Sequence, residues 1–146
     1  MSFYKHAAQA GISEVDLGNL AEEKATSQDV KDFAAMMVKD HAAADDKLKS
    51  LADSKSIALP NGASIGDMAT KAKLDVLSGE TFDKSYIKSQ LKAHREAIAL
   101  FKKEAASGRD PDAKAFASET LPTLEKHMKA IRRVAASAGI SSKKKG

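Results

Sequence analysis

The sequence predicts an all-α protein of four long helices, with a long crossover that contains a short helix between the second and the third. Three observations carry this. Alanine and lysine dominate, only three prolines interrupt the chain and tryptophan is absent, a composition that favours helix over sheet. Apolar residues recur at spacings of three and four rather than two. Four long segments with that rhythm are separated by capping and turn signals.

The first helix is expected over residues 2–25, with Ser2 as its cap and Ala7, Ala10, Leu17 and Ala21 on one seam that Glu14 interrupts. Gly11 and Gly18 each weaken that helix by about 1 kcal/mol relative to alanine, and both lie about a turn from Glu14. Small residues there permit close approach by another backbone or a ligand. Thr26 or Ser27 caps the second helix, 28–54, whose stripe of Val30, Ala34, Met37, Ala44, Leu48 and Leu51 is interrupted by His41.

Leu59-Pro60-Asn61-Gly62 is a turn signal, and Ile65, Met68, Ala72 and Leu77 indicate one short helix, stopped at Ser78-Gly79. A connection of this length can run from one end of a bundle to the other. Thr81 is expected to cap the third long helix, 81–107, where Ile87, Leu91, Ile98 and Phe101 form a seam interrupted by His94. Asp110 caps the fourth, 111–138, with Pro111 at its first position, where a missing N–H is harmless. Its seam is Ala113, Phe116, Thr120, Leu124, Ile131 and Val134, interrupted by His127, and Pro122 is expected to kink it about a turn before that histidine. Leu20–Ala34 and Phe101–Ala117 share an acidic turn, a break and a Lys-x-Phe-Ala start, which points to two related helical hairpins.

The chain of 146 residues is long enough for one domain, over 1–138, to bury a core without cross-links, with a flexible basic tail over 139–146. It has no cysteine, which excludes disulfides, thiolate chemistry and cysteine-ligated zinc or iron–sulfur sites. The net charge is +4, and Lys143, Lys144 and Lys145 supply three of those charges. The five Phe and two Tyr fall largely at core spacing rather than between basic residues, so no nucleic-acid partner is expected. Cations such as Lys126, Lys129, Arg132 and Arg133 suit the end of a helix. No apolar run approaches the roughly twenty residues of a membrane span. The amphipathic pattern starts at Phe3, so the chain is read either as cytoplasmic or as a mature periplasmic form whose leader was replaced by Met1-Ser2.

Each long helix thus carries one ionisable residue in its buried seam: Glu14, His41, His94 and His127. At about 1.5 Å of rise per residue the first three share a level to within a turn and the fourth lies at most about a turn away. In a four-helix bundle such groups meet. Three imidazoles and one carboxylate suit a single transition-metal ion, Zn, Fe, Mn, Cu or Ni. Asp45, Tyr86, Thr120 or Thr123 are candidates to support the ligands. The competing reading is a metal-free Glu–His cluster that fixes helix register, with Glu14 alternatively paired to Lys24 or Lys39. His6 lies off the seam and is read as surface.

AAQAGISEVDLGNLAEEKA, VKDFAAMMVKDHAAADDKLKSLA, LKAHREAIALFKKEA and FASETLPTLEKHM together resemble the bacterial domain-of-unknown-function family 4142, from Phe3 to about Arg133. The resemblance implies a ferritin-like helical bundle in a family whose members are often exported, and no particular activity. Ferritin-like di-iron proteins use one Glu from each of two helices and Glu-x-x-His from each of the others. Here the residues three before His41 and His127 are Val38 and Leu124, and His94 holds the third inward place, so three carboxylates are missing and a dinuclear centre is disfavoured. Glu96 and Glu125 point off the seams. The expected function is a metal-binding bundle holding one transition-metal ion on Glu14, His41, His94 and His127, in metal handling or stress protection. One alternative is a metal-dependent oxidoreductase acting on peroxide, superoxide or dioxygen; the other is a metal-free structural or interaction bundle.

Overall fold

The computed structural model describes residues 2–140. The expected cap at Ser2 and most of the basic tail lie outside the residues whose side chains are described. Five helices follow in order: α1 (Ser2–Lys24), α2 (Gln28–Ser54), α3 (Ile65–Asp75), α4 (Gly79–Ser107) and α5 (Pro111–Ser137), with no strand among the described residues. Among them no helix is long and apolar enough to cross a membrane.

The capping chemistry explains most of the boundaries. Ser27 accepts from the Val30 N–H at the start of α2, and Asp110 accepts from the Asp112 N–H ahead of Pro111. The third long helix starts two residues before the expected Thr81. Gly79 takes φ +60°, a backbone conformation that glycine adopts readily, so the chain reverses at Ser78-Gly79 and enters α4 at once. The α1–α2 break is held from a distance: the buried Asp83 of α4 accepts from Thr26 N (3.0 Å), Thr26 Oγ1 (2.8 Å) and Ser27 N (2.8 Å). At the other end Tyr4 Oη donates to Asp110 Oδ2 at 2.6 Å, and Lys55 bridges Asp110 and Asp112.

Helices α1 and α2 pack most extensively on each other, as do α4 and α5. Their apolar residues form two clusters. One joins Leu17 and Leu20 of α1, Phe33 and Met37 of α2, Phe82 and Leu91 of α4 and Ile131 of α5. The other joins Phe3 of α1, Leu48 of α2, Phe101 of α4 and Phe116 and Leu124 of α5. The first half of α2 therefore lies level with the first half of α4, and α1 and α5 run opposite to both. Ile57 and Leu59, just after α2, pack on the second cluster, whereas Leu74 and Leu77, just before α4, pack on the first. Residues 55–78 carry the chain from one cluster to the other.

Helix α3 differs from the sequence expectation. Of the four residues expected on its apolar face, Ile65, Met68 and Ala72 are exposed and Leu77 follows the helix; Leu74 alone anchors α3 to the core. The two helical glycines of α1 face α2. A Cβ at Gly18 would stand 2.8 Å from Val38 Cγ2 and 3.0 Å from the Ala34 carbonyl oxygen, and one at Gly11 would collide with the Asp45 carboxylate.

Candidate metal centre

On every long helix the ionisable residue falls between the stretches that feed the two apolar clusters: Glu14 between Ala8 and Leu17, His41 between Met37 and Leu48, His94 between Leu91 and Phe101, and His127 between Leu124 and Met128. The result is a polar layer across the core. Glu14, His94 and His127 are buried, and His41 is partly exposed.

The three imidazoles converge. Their ring centroids are 5.3 Å (His41–His127), 5.6 Å (His94–His127) and 6.3 Å (His41–His94) apart, and one nitrogen from each lies within 4.8 Å of the others. Nitrogens sharing one tetrahedral ion at about 2.0 Å stand about 3.3 Å apart, so rotations moving each by up to about 1.5 Å close the set.

Hydrogen bonding fixes which nitrogens are free. His94 Nδ1 lies 2.9 Å from the Gln90 carbonyl oxygen, which only accepts, so Nδ1 carries the proton. His127 Nε2 lies 2.8 Å from Asp40 Oδ2, and a carboxylate there likewise requires N–H. In the neutral rings the lone pairs then sit on His94 Nε2 and His127 Nδ1. Those two atoms, together with His41 Nε2, are buried without a hydrogen-bond partner.

Burial keeps the rings neutral. Desolvation lowers His41 to about 3, with further opposition from His127 and His94, and lowers His94 to about 4 against the support of the Gln90 carbonyl. His127 is also held below its ordinary value by desolvation, in spite of Asp40. Neutral imidazoles with orphaned lone pairs form a donor set that fits a borderline or soft divalent ion.

Glu14 lies beside this set. Its Oε2 is 3.8 Å from His94 Nδ1, the nitrogen already engaged by Gln90, and its Oε1 has no partner. Desolvation pushes its carboxyl up to about 7, with Gln90 offsetting part of the effect. Neither lysine considered for it is engaged there: Lys24 donates to the Asp75 carbonyl instead, and no ion pair joins Lys39 to Glu14. The Tyr86 hydroxyl and both Gln90 amide atoms are also buried without partners.

None of the four residues expected to support the ligands hydrogen-bonds an imidazole. Thr120 donates to its own helix at Phe116 O, and Asp45 rests over Gly11 with its carboxyl raised to about 7 by burial and by Asp46 and Asp16. The supporting partners are Asp40 and the Gln90 backbone. The sequence signal for Asp40 is its place next to His41, turned toward the following helix face; a backbone carbonyl has no sequence signal.

A pocket of about 360 Å³ between α1, α2, α4 and α5, bordered by α3, reaches His41 and His94, and Glu14, Asp45 and the exposed His6 line it. The pocket thus borders two of the three imidazoles, and His127 lies outside its lining.

Fold and site together define an all-helical protein with a three-imidazole cluster in its core. The chain belongs to the family described as Domain of unknown function (DUF4142), which matches residues 1–134. No curated protein matches it. Among solved structures it is similar to a DUF305 protein from Streptomyces coelicolor, at TM-score 0.81 and 14% identity over 98% of this chain and 94% of that one. A DUF305 fragment from Deinococcus radiodurans gives TM-score 0.81 and 14% identity, over 93% and 94%. CopM in the Cu(II)-bound form gives 0.77 and 15%, over 93% and 95%. At such identities the likeness shows the fold, that of DUF305-like all-helical proteins.

Proposed function

We propose that this chain is a metal-binding protein, a ferritin-like four-helix bundle with residues 55–78 as its crossover, which holds one transition-metal ion on His41, His94 and His127. The observation that carries this reading is the convergence of three imidazoles, one nitrogen of each within 4.8 Å of the others, with a buried, unpartnered nitrogen on every ring. Glu14 supplies nearby negative charge and is the fourth donor available once its side chain turns from the Nδ1 side of His94. The all-nitrogen triad favours copper or zinc over magnesium-like ions, and the copper carried by CopM makes Cu(II) the first ion to test. Metal handling or stress protection is the role that fits such a site.

Elemental analysis of untagged protein, beside a His41→Ala/His127→Ala double variant, tests the reading. One equivalent of a transition metal in the wild type and none in the variant is expected. No metal in either after reconstitution overturns it and leaves a bundle whose polar layer is structural.

The pocket favours a second reading, in which the bound ion keeps a position open toward solvent for peroxide, superoxide or dioxygen. Turnover with copper, iron or manganese but not zinc distinguishes this from storage or transfer.

A further inference from the structure

The three-imidazole site lies between two surfaces of opposite charge. On the α4–α5 side is a groove of about 820 Å³ lined by Arg95, Lys102, Lys126, Lys129, Arg132 and Arg133, against one acid, Glu125. On the other side is the pocket of about 360 Å³ that reaches His41 and His94, and its acids Glu14, Asp45, Asp67 and Glu96 face a single lysine, Lys92. Cations are repelled from the first and drawn to the second, because a low-dielectric cleft lined by one sign of charge concentrates the opposite ion.

The pocket also has room for a hydrated ion. An ion with six waters at roughly 30 Å³ each needs about 200 Å³, less than the space available. Gly11 leaves room for the Asp45 carboxylate against α1. The buried Glu14, 6% exposed, presents an oxygen with no partner, and beside it His94, 1% exposed, has its Nε2 likewise without a partner. An ion entering there meets the carboxylates of Asp45 and Glu14 as well as the imidazoles of His41 and His94, so oxygen ligands are on hand to replace hydration waters before the ion settles on nitrogen.

We infer that this pocket is the admission route for a hydrated divalent transition-metal cation, with Asp45 receiving the ion and Glu14 passing it to His41 and His94. The inference rests on the metal-site reading of the imidazoles and adds the direction of loading and the residues that control its rate. Asp45 acts on passage and is not a ligand in the loaded state.

The test is stopped-flow loading of the metal-free full chain with Cu(II), at low and high salt, followed by release to a chelator. Asp45→Asn is expected to slow loading and release together by roughly 5- to 10-fold, to blunt the salt dependence of loading and to leave Kd and stoichiometry unchanged. Asp67→Asn, on the partly exposed α3 border, slows loading in the same direction, which keeps the test open if Asp45→Asn misfolds. Glu125→Gln in the opposite groove leaves both rates unaltered. Wild-type binding with unaltered rates in Asp45→Asn and Asp67→Asn overturns the route but not the site, and so does weaker binding of Asp45→Asn without slower loading. A wild type that binds no Cu(II) overturns both.

Discussion

Asp40 on α2 accepts a hydrogen bond from His127 Nε2 on α5 at 2.8 Å, next in sequence to His41, whose own ring faces His127 across 5.3 Å. One short segment of α2 therefore both contributes an imidazole and sets the tautomer of its neighbour. Removing that acceptor frees the His127 proton to move to Nδ1, the nitrogen that the proposed site uses. Asp40→Ala should weaken metal affinity by about 10- to 100-fold, and Asp40→Asn, which keeps an acceptor oxygen, by less. Competition titration against a chelator of known affinity reads both.

Glu14 and the histidines should separate on substitution. His41→Ala, His94→Ala and His127→Ala each remove a donor and should abolish stoichiometric binding. Glu14→Gln keeps all three imidazoles and should retain one equivalent at reduced affinity, measured by metal content after desalting.

The imidazoles themselves should keep metal affinity nearly insensitive to pH over a range where most histidine sites fail. Protons compete with metal only near the ligand pKa, and burial holds His41 at about 3 and His94 at about 4. Glu14, raised to about 7, protonates within that range, so Glu14→Gln isolates the imidazoles: its affinity should hold from pH 7 to about pH 5, whereas a solvent-exposed imidazole site loses affinity below about 6.5. A Glu14→Gln affinity that falls tenfold by pH 6 contradicts the burial argument.

The metal-free protein should show opposing pH dependences. Glu14 and Asp45 are raised to about 7 in the folded state, so the stability tied to their protonated forms is present below their unfolded values and lost as pH rises through 7. The histidines are depressed, so their contribution is present above about 6.5 and lost as pH falls through the folded values near 4 and 3. A Glu14→Gln/Asp45→Asn variant should therefore gain roughly 1–3 kcal/mol on the wild type at pH 8 and keep its acid limb. Urea denaturation at pH 5, 6.5 and 8 checks this.

The two glycines of α1 should respond differently to alanine. At Gly18 the new methyl meets the Ala34 carbonyl oxygen as well as Val38, and backbone cannot step aside, so Gly18→Ala should destabilise by about 1–3 kcal/mol in spite of its helix propensity. At Gly11 the obstacle is only the Asp45 carboxylate. Gly11→Ala should be close to neutral in thermal melting while expelling Asp45 from its seat.

Periodicity made the helices legible, because apolar spacing and caps such as Asp110 with Pro111 are local signals. Mid-helix position also made it legible that His41, His94 and His127 come close. What the sequence withheld was set between helices. Asp83 grips the α1–α2 break from 57 residues away, and no pattern in either segment announces it. Asp40 lies beside His41, but only the packing of α2 on α5 decides that it, and not Asp45 one turn on, meets an imidazole. The direction of each ring nitrogen depends on the same packing. Helix α3 was misread in its apolar face because one anchoring residue, Leu74, gives too short a pattern for periodicity to locate.

The division of the core into two apolar clusters by a polar layer has a consequence for how the protein breathes. Each cluster draws on all four long helices, so each end is a cooperative unit, and the layer between them contributes little apolar burial to couple the two. In the metal-free protein, amide protons near Phe33 and near Phe116 should exchange with separate opening free energies. An ion bound across His41, His94 and His127 ties α2, α4 and α5 at the waist, and the two opening reactions should then merge into one.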